Sequence, residues 1–340
     1  GSLKAINCRR GYEQMLDFCQ QEDISHEVCG KVVVATTESE VPMLKELRAR
    51  GMANGLSGLR YLEPNEINEI EPHCSGVKGL FVPQTGIVNY LDVAKVFATK
   101  LREMGAEIIL GECILDIKQH NNHVEVIGRS SMFSAGVAVI CAGLQSDRLA
   151  RMTAPNLPLQ ILPFRGEYYK LKKSAPKFVK NLIYPVPNIN LPFLGVHFTR
   201  MIDGDVECGP NAVFSFGREA YSKTDFNLRD TFEALAWPGF RKVAGKYWRT
   251  GLKEFHRSIS KKAFVKALQQ LIPEIQAEHL EPGGAGIRAQ ACDLNGKLLD
   301  DFDIRITGNV IHVCNAPSPA ATASLSIGQT MAGKALSILR

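Results

Sequence analysis

Arg288 follows a run with three glycines in four positions, Gly283-Gly284-Ala285-Gly286. A guanidinium fixed there could clamp a carboxylate through two parallel N–H···O bonds. The competing reading is an arginine paired with Asp300 or Asp301, since a buried arginine needs a partner either way. Arg165, in Pro163-Phe164-Arg165-Gly166-Glu167, is a candidate for a second carboxylate contact. Strand alternation puts it on one face with Glu167, which favours an ion pair between the two. His197 lies in an apolar stretch, Gly195-Val196-His197-Phe198. A buried, neutral histidine can accept a hydroxyl proton while the neighbouring C–H leaves as hydride. A lone histidine on a strand is more often a satisfied core residue. Tyr90, Tyr168 and Tyr184 could hydrogen-bond a carboxylate or hydroxyl, although a tyrosine on an antiparallel sheet usually packs with its OH at the rim. Tyr90 and Tyr184 are kept as candidates. Asn211 reads as a turn residue, and His312 as structural.

A second constellation offers backbone rather than side chains. The strand-like run 309–314 ends in Asn315-Ala316-Pro317-Ser318-Pro319-Ala320-Ala321-Thr322, and a helical stretch follows to Leu339. A strand that opens into a helix through small residues exposes N–H groups at a positive dipole end. Such an end holds an anion or the edge of an electron-rich ring, and small side chains let a flat ligand reach the backbone. Ala142-Gly143 closes another apolar run, 136–141. Strand-to-glycine turns are common, so that signal is weak by itself.

Hydrophobic periodicity supplies the elements that must position these groups. Residues 8–21, 40–54 and 93–104 read as helices, with a short one from Pro64 to before Pro72. Runs 31–36, 80–82, 108–110, 113–119 and 123–127 read as strands, the last two joined by a turn at Asn121-Asn122. The run 136–141 is continuous enough for a parallel sheet. From 158 to 215 short alternating strands, prolines and aromatics (Phe164, Tyr184, Phe193, Phe198) predict an antiparallel sheet. Residues 225–275 read as helical with a break at Trp237-Pro238-Gly239.

A hydrophobic share of 45% in 340 residues is enough for a sizeable core over two lobes. The net charge of +5 is spread out, with no basic stripe interleaved with aromatics, so a nucleic-acid partner is not expected. Nine cysteines without a Cys-x-x-Cys read as buried free thiols, and no metal site is expected. No run has transmembrane length. Gly-x-Ser-x-Gly, Walker and His-Glu-x-x-His patterns do not occur.

Gly286-Ile287-Arg288-Ala289-Gln290, Lys297-Leu298-Leu299-Asp300-Asp301-Phe302 and Cys314-Asn315-Ala316-Pro317-Ser318-Pro319-Ala320-Ala321-Thr322 resemble the L-2-hydroxyglutarate dehydrogenase/oxidase family. That family belongs to the FAD-dependent oxidoreductases of the D-amino-acid-oxidase class. Gly1-Ser2-Leu3-Lys4-Ala5, Cys29-Gly30-Lys31, 85–90, 141–143, 163–168, 192–199 and 209–213 look like further blocks in family order, so the resemblance covers essentially the whole chain. It implies an α/β (α+β) fold, D-amino-acid-oxidase-like, with a discontinuous FAD/NAD(P)-binding-type domain and an antiparallel-sheet substrate lobe. The boundaries expected are 1–30, 76–155 and 276–340 for the first, and 31–75 and 156–275 for the second.

The same resemblance implies FAD contacts at Ala142 and Gly143 (adenosine and pyrophosphate) and at Gly286, Asn315, Ala316, Pro317, Ser318, Ala320 and Thr322 (the flavin end). It gives Arg288, with Arg165 as a second contact, the substrate's carboxylates, and His197 the hydroxyl proton. The implied reaction is oxidation of L-2-hydroxyglutarate, a small dicarboxylate, to 2-oxoglutarate. Oxygen or a membrane quinone would take the electrons, with peripheral membrane association. A bacterial source would place it in the cytoplasm or at the inner membrane, a eukaryotic one in mitochondria. Such proteins begin with a strand and a Gly-x-Gly-x-x-Gly turn. Here Lys31–Thr36 runs into Thr37-Glu38-Ser39-Glu40, so the N-terminal segment is expected to have been cut or left out, or the open reading frame to be truncated. A related 2-hydroxy-acid or amino-acid oxidase, and an inactive flavin-free fragment, stay open as alternatives.

Overall fold

The computed structural model describes residues 2–187 and 195–340. Pro192, Phe193 and Leu194 of the block around His197 lie outside them.

The largest sheet has nine strands among the described residues. In spatial order they are Val213–Phe214, Leu159–Leu171, Val206–Gly209, His197–Arg200, Leu182–Pro185, Lys31–Ala35, Lys78–Val82 and Arg60–Leu62, with Leu280–Asp293 also paired to Leu159–Leu171. All contacts are antiparallel except one. Leu182–Pro185 runs parallel to Lys31–Ala35, with Tyr184 opposite Val33. One face is a closed core of Val32, Val34, Ile183, Phe198 and Cys208, packed on Phe264 and Leu268 of helix Lys261–Leu268. Each such buried side chain contributes about 1.5–3 kcal/mol. Side chains alternate along a strand, so the neighbours of these core residues (Lys31, Tyr184, His197) stand on the opposite face. Tyr169 packs on the same core, which sends Tyr168 to that opposite face too.

A second sheet orders Asp303–Thr307, Val310–Asn315 and Ala138–Ile140, the last two parallel with His312 opposite Ile140. Helix Ser324–Leu339 covers it through Met331, Ile327 and Ile338. Helix Leu3–Gln21 lies against the start of that helix. A Cβ on Gly11 would sit 2.5 Å from Ala323 Cα and 2.9 Å from Thr322 O, so only glycine allows this approach. Ser2 caps the first helix by accepting from Ala5 N–H, and Asp301 accepts from Lys4 N–H at 2.7 Å.

The mixed α/β class is as expected, and several details are not. Residues 108–110 form no strand, and Ile109 and Leu110 are exposed. Among the described residues they pair with no strand. Met132–Ala135 adds a third strand to the hairpin of Ile114–Gln119 and Val124–Gly128. Lys78–Val82 and Leu280–Asp293 hydrogen-bond into the large sheet. Boundaries at 76 and 276 therefore cut through what the ladder joins. Helix Tyr90–Glu103 buries Val93, Val96 and Phe97 but leaves Leu101 and, just beyond its end, Met104 exposed. All nine cysteines are free, yet Cys113 and Cys141 are exposed rather than buried.

Candidate active site

Four groups share the second face of the large sheet, part of which helix Val41–Ala53 covers at Val33, Ala35 and Leu80. His197 stacks on Tyr184, with ring centroids 4.0 Å apart and 20° between planes. Its Nδ1 lies 3.0 Å from the Gly195 carbonyl. A carbonyl can only accept, so Nδ1 carries the proton and Nε2 keeps its lone pair. Burial pushes the imidazole pKa down to about 4; the Gly195 carbonyl opposes this and the nearby Lys31 charge adds to it. The ring is therefore neutral at ordinary pH. Burial also raises the Tyr184 and Tyr168 phenols.

Arg288 lies opposite Phe164 in the Leu159–Leu171/Leu280–Asp293 ladder. It is exposed along the strand; partial burial of the guanidinium lowers its pKa, with the Tyr168 phenol acting the other way, and guanidinium stays charged regardless. Two positions along, Gly286 is exposed, and a Cβ there would meet nothing within 4 Å. The backbone beside Arg288 thus stands uncovered.

Arg165 is placed elsewhere. It is 5% exposed and points away from this face. It bonds Glu167 Oε1 at 2.9 and 3.1 Å and the Ser222 carbonyl at 2.7 Å. The ion pair suggested by strand alternation is present, but in the interior rather than on the surface. Asn211 is more than a turn residue. It is buried, its Oδ1 accepts from Glu167 N–H at 2.8 Å, and its Nδ2 donates to Glu167 Oε2 at 3.1 Å. Tyr90 is drawn to the other constellation: its hydroxyl lies 2.7 Å from that of Thr322. His312 is buried and structural, bonded to Thr153 at 2.6 Å.

The two backbone turns come together. Ala138–Ile140 and Val310–Asn315 are parallel, so Ala142-Gly143 and Asn315–Thr322 both leave the carboxyl ends of neighbouring strands, where open α/β sheets bind ligands. Ser146 Oγ donates to the Cys314 carbonyl at 3.1 Å and ties the turns to each other. Buried Asp147 holds Arg218, and Arg218 also donates to the Leu144 carbonyl. Gly143 has φ +51°, and a Cβ there would meet nothing within 4 Å. Helix Ser324–Leu339 starts with no side chain capping it, leaving its amide end to a ligand. Ala316, Ser318 and Ala321 are exposed and small. Asn315 is an exception, because its side-chain N–H groups are spent inward on the Asp301 and Leu299 carbonyls, which leaves no side-chain donor for a cofactor. Uncovered backbone, small side chains and an uncapped helix end suit a flat ring with an anionic or carbonyl edge.

A cavity of about 400 Å³ lies against this turn, lined by Cys8, Tyr12, Lys31, Thr85, Tyr90 and Thr322. Lys31 thus belongs both to the cavity wall and to the sheet face of His197. In the sequence it stands out only as the end of the block Cys29-Gly30-Lys31 and as a strand start, with no role for its side chain. Away from the site, at the turn of an exposed hairpin, His120, His123 and Glu125 bring three ligand atoms within 4.8 Å of one another, a grouping the sequence reading did not anticipate.

Residues 3–333 match the family described as DAO, FAD dependent oxidoreductase. The chain is 53% identical to the L-2-hydroxyglutarate dehydrogenase of Indibacter alkaliphilus, over 99% of this chain and 84% of that protein. It is 41% identical to the Escherichia coli protein of the same name, over 100% and 80%. It is also 41% identical to the mitochondrial one of Nematostella vectensis, over 98% and 78%. The L-α-glycerophosphate oxidase of Mycoplasma pneumoniae, solved with FAD bound, superposes with a TM-score of 0.77 at 20% identity, covering 100% of this chain and 80% of that one. The glycine oxidase of Bacillus cereus gives 0.70 at 16%, covering 97% and 80%.

Proposed function

The chain belongs to the L-2-hydroxyglutarate dehydrogenase family of FAD-dependent oxidoreductases, and we propose that it oxidises L-2-hydroxyglutarate to 2-oxoglutarate. The observation that carries the mechanism is a neutral, tautomer-fixed His197 on the same sheet face as Arg288. Arg288 holds the carboxylate next to the carbinol carbon and fixes the substrate's orientation. His197 Nε2 accepts the hydroxyl proton as the C–H bond breaks, leaving the ketone. Tyr184 keeps the imidazole plane in place by stacking. The backbone of 315–322, with Gly286 and the Ala142-Gly143 turn, would hold FAD, which supplies the hydride acceptor when bound. The domain division expected from sequence, adjusted at 76 and 276, stays part of this reading: the parallel strands serve the cofactor and the large sheet serves the substrate.

We propose further that the protein attaches peripherally to an anionic membrane surface and passes its electrons to quinone, with oxygen the other acceptor to be tested. Phe226, Leu228, Phe232, Trp248 and Ile259 are exposed on or beside helices Leu228–Ala236 and Pro238–Ile259. The second helix also carries Arg241, Lys242, Lys246, Arg249, Lys253 and Arg257. Exposed aromatics on a basic helix are the composition of an interfacial element. No helix among the described residues is long and apolar enough to cross a membrane. In relatives from eukaryotes the name carries "mitochondrial"; a bacterial protein would sit at the inner membrane face.

The deciding experiment is a visible spectrum after desalting with FAD, then turnover with an artificial acceptor. Retained flavin and preference for L-2-hydroxyglutarate over glycine, sarcosine and glycerol 3-phosphate are expected. Retained flavin with no such preference would point to a related oxidase instead.

A further inference from the structure

Lys31 begins the strand Lys31–Ala35 and lines the cavity beside the cofactor turn. Its ammonium lies 5.1 Å from the centre of the Tyr184 ring, on which His197 is stacked. No carboxylate of the described residues pairs with it. The carboxylate of the cavity wall, Glu27, is occupied by Arg200 at 2.6 Å. Burial lowers the ammonium's pKa, with the Cys8 thiol acting the other way. A cation withdrawn from water is strongly disfavoured unless something supplies its counter-charge. The Tyr184 face does so only in part. A strand start facing a cavity is also an unfavourable place to keep a lysine for solubility alone.

We propose that Lys31 receives the distal carboxylate of the substrate and makes the enzyme select a dicarboxylate over a 2-hydroxy acid with one carboxylate. This inference rests on the reading of Arg288 and His197 given above. Arg288 marks one side of the second face, and Lys31 the other, with Tyr168, Tyr184 and His197 between them. With its first carboxylate on Arg288, the diacid keeps its carbinol carbon beside that arginine and directs its far end past Tyr168 and His197 toward Lys31. The second carboxylate contact therefore passes from Arg165, whose guanidinium is consumed by Glu167 and Ser222, to Lys31.

The test compares wild type, Lys31→Met and Lys31→Arg, each loaded with FAD and checked by visible spectrum. Turnover is measured on L-2-hydroxyglutarate and on L-2-hydroxybutyrate, which lacks the distal carboxylate. Lys31→Met should lower kcat/KM for the diacid about 100-fold while leaving the monoacid nearly unchanged, and Lys31→Arg should recover part of the loss. Glutarate, an unreactive diacid, should likewise perturb the flavin spectrum of wild type more readily than that of Lys31→Met. Equal losses on both substrates, no loss, or loss of flavin from both variants would each overturn the assignment. Failure of wild type to oxidise L-2-hydroxyglutarate while binding glutarate through Lys31 would sink the reaction and not the carboxylate receptor.

Discussion

The Tyr184 and His197 rings lie nearly parallel, 4.0 Å apart, although they come from neighbouring strands of which one also pairs in parallel with Lys31–Ala35. The stack fixes the imidazole plane and the Gly195 carbonyl fixes its tautomer. With the folded pKa near 4, the base is deprotonated over the whole neutral range. The acid limb of kcat/KM that belongs to His197 should therefore fall near pH 4, not near the 6.5 of a free imidazole. His197→Gln should lower kcat by about 10²–10⁴ and keep the flavin. An unchanged kcat would remove His197 from the proton path.

His197 also enters pH stability, with a sign that can be worked out. Its folded pKa is depressed, so the unfolded chain binds the proton first as pH falls. The contribution is present above 6.5 and is lost between 6.5 and about 4. Urea midpoints across this window should fall less steeply in His197→Gln than in wild type.

Much of this site was legible, and the rest fails for identifiable reasons. Strand alternation was enough to pair Arg165 with Glu167, because that contact lies two residues away on one strand. The turns at Ala142-Gly143 and 315–322 each look ordinary locally; their pairing depends on a parallel register between Ile140 and His312. Lys31 ends the block Cys29-Gly30-Lys31 but carries no local signal for what its side chain does. Its neighbours Tyr184 and His197 arrive through strand contacts some 150 residues along the chain, and no periodicity reports such a contact. The reverse holds for 108–110, where an apolar run suggested a strand but no strand takes it up among the described residues.

Arg165 and Arg288 should respond oppositely to the same substitution. Arg165→Met leaves Glu167 buried with fewer partners, which should destabilise the fold by about 3 kcal/mol with little change in KM. Arg288→Met should barely move the denaturation midpoint, yet lower kcat/KM about 100-fold or more. Urea melts beside steady-state kinetics separate the two, and a large KM effect at Arg165 would restore it as a substrate contact.

Asp147 supports the Ala142-Gly143 turn through Arg218. It is fully buried, and Arg218, Arg151 and the Ile161 N–H converge on it. Burial alone would raise its pKa, but the Arg218 bonds and charge outweigh that and hold the carboxyl below its usual range. Its contribution is thus present above about pH 3.8 and lost as pH falls further. Asp147→Asn should cost about 3–5 kcal/mol, since it leaves the buried Arg218 guanidinium with only the more distant Glu233, at 3.7 Å, as counter-charge. Weaker FAD retention at neutral pH is expected alongside, because Arg218 also holds the Leu144 carbonyl beside Gly143. Retention equal to wild type would mean that the turn keeps its shape without this support.

Gly11 gives a prediction in which two effects have opposite signs. It sits inside helix Leu3–Gln21, where glycine is about 1 kcal/mol worse than alanine. On propensity alone, Gly11→Ala would stabilise the protein. The close approach says otherwise: the added methyl would lie 2.5 Å from Ala323 Cα and 2.9 Å from Thr322 O. Those are backbone atoms and cannot swing aside, so the helix or the 315–322 turn has to shift. Overpacking of this kind costs about 1–3 kcal/mol, which outweighs the propensity gain. The displaced turn also carries Thr322, bonded to Tyr90. Gly11→Ala should therefore lower the melting temperature and weaken FAD binding together. A higher melting temperature with unchanged FAD affinity would show that the helix can back away from the turn at no cost, and that Gly11 does not seat it.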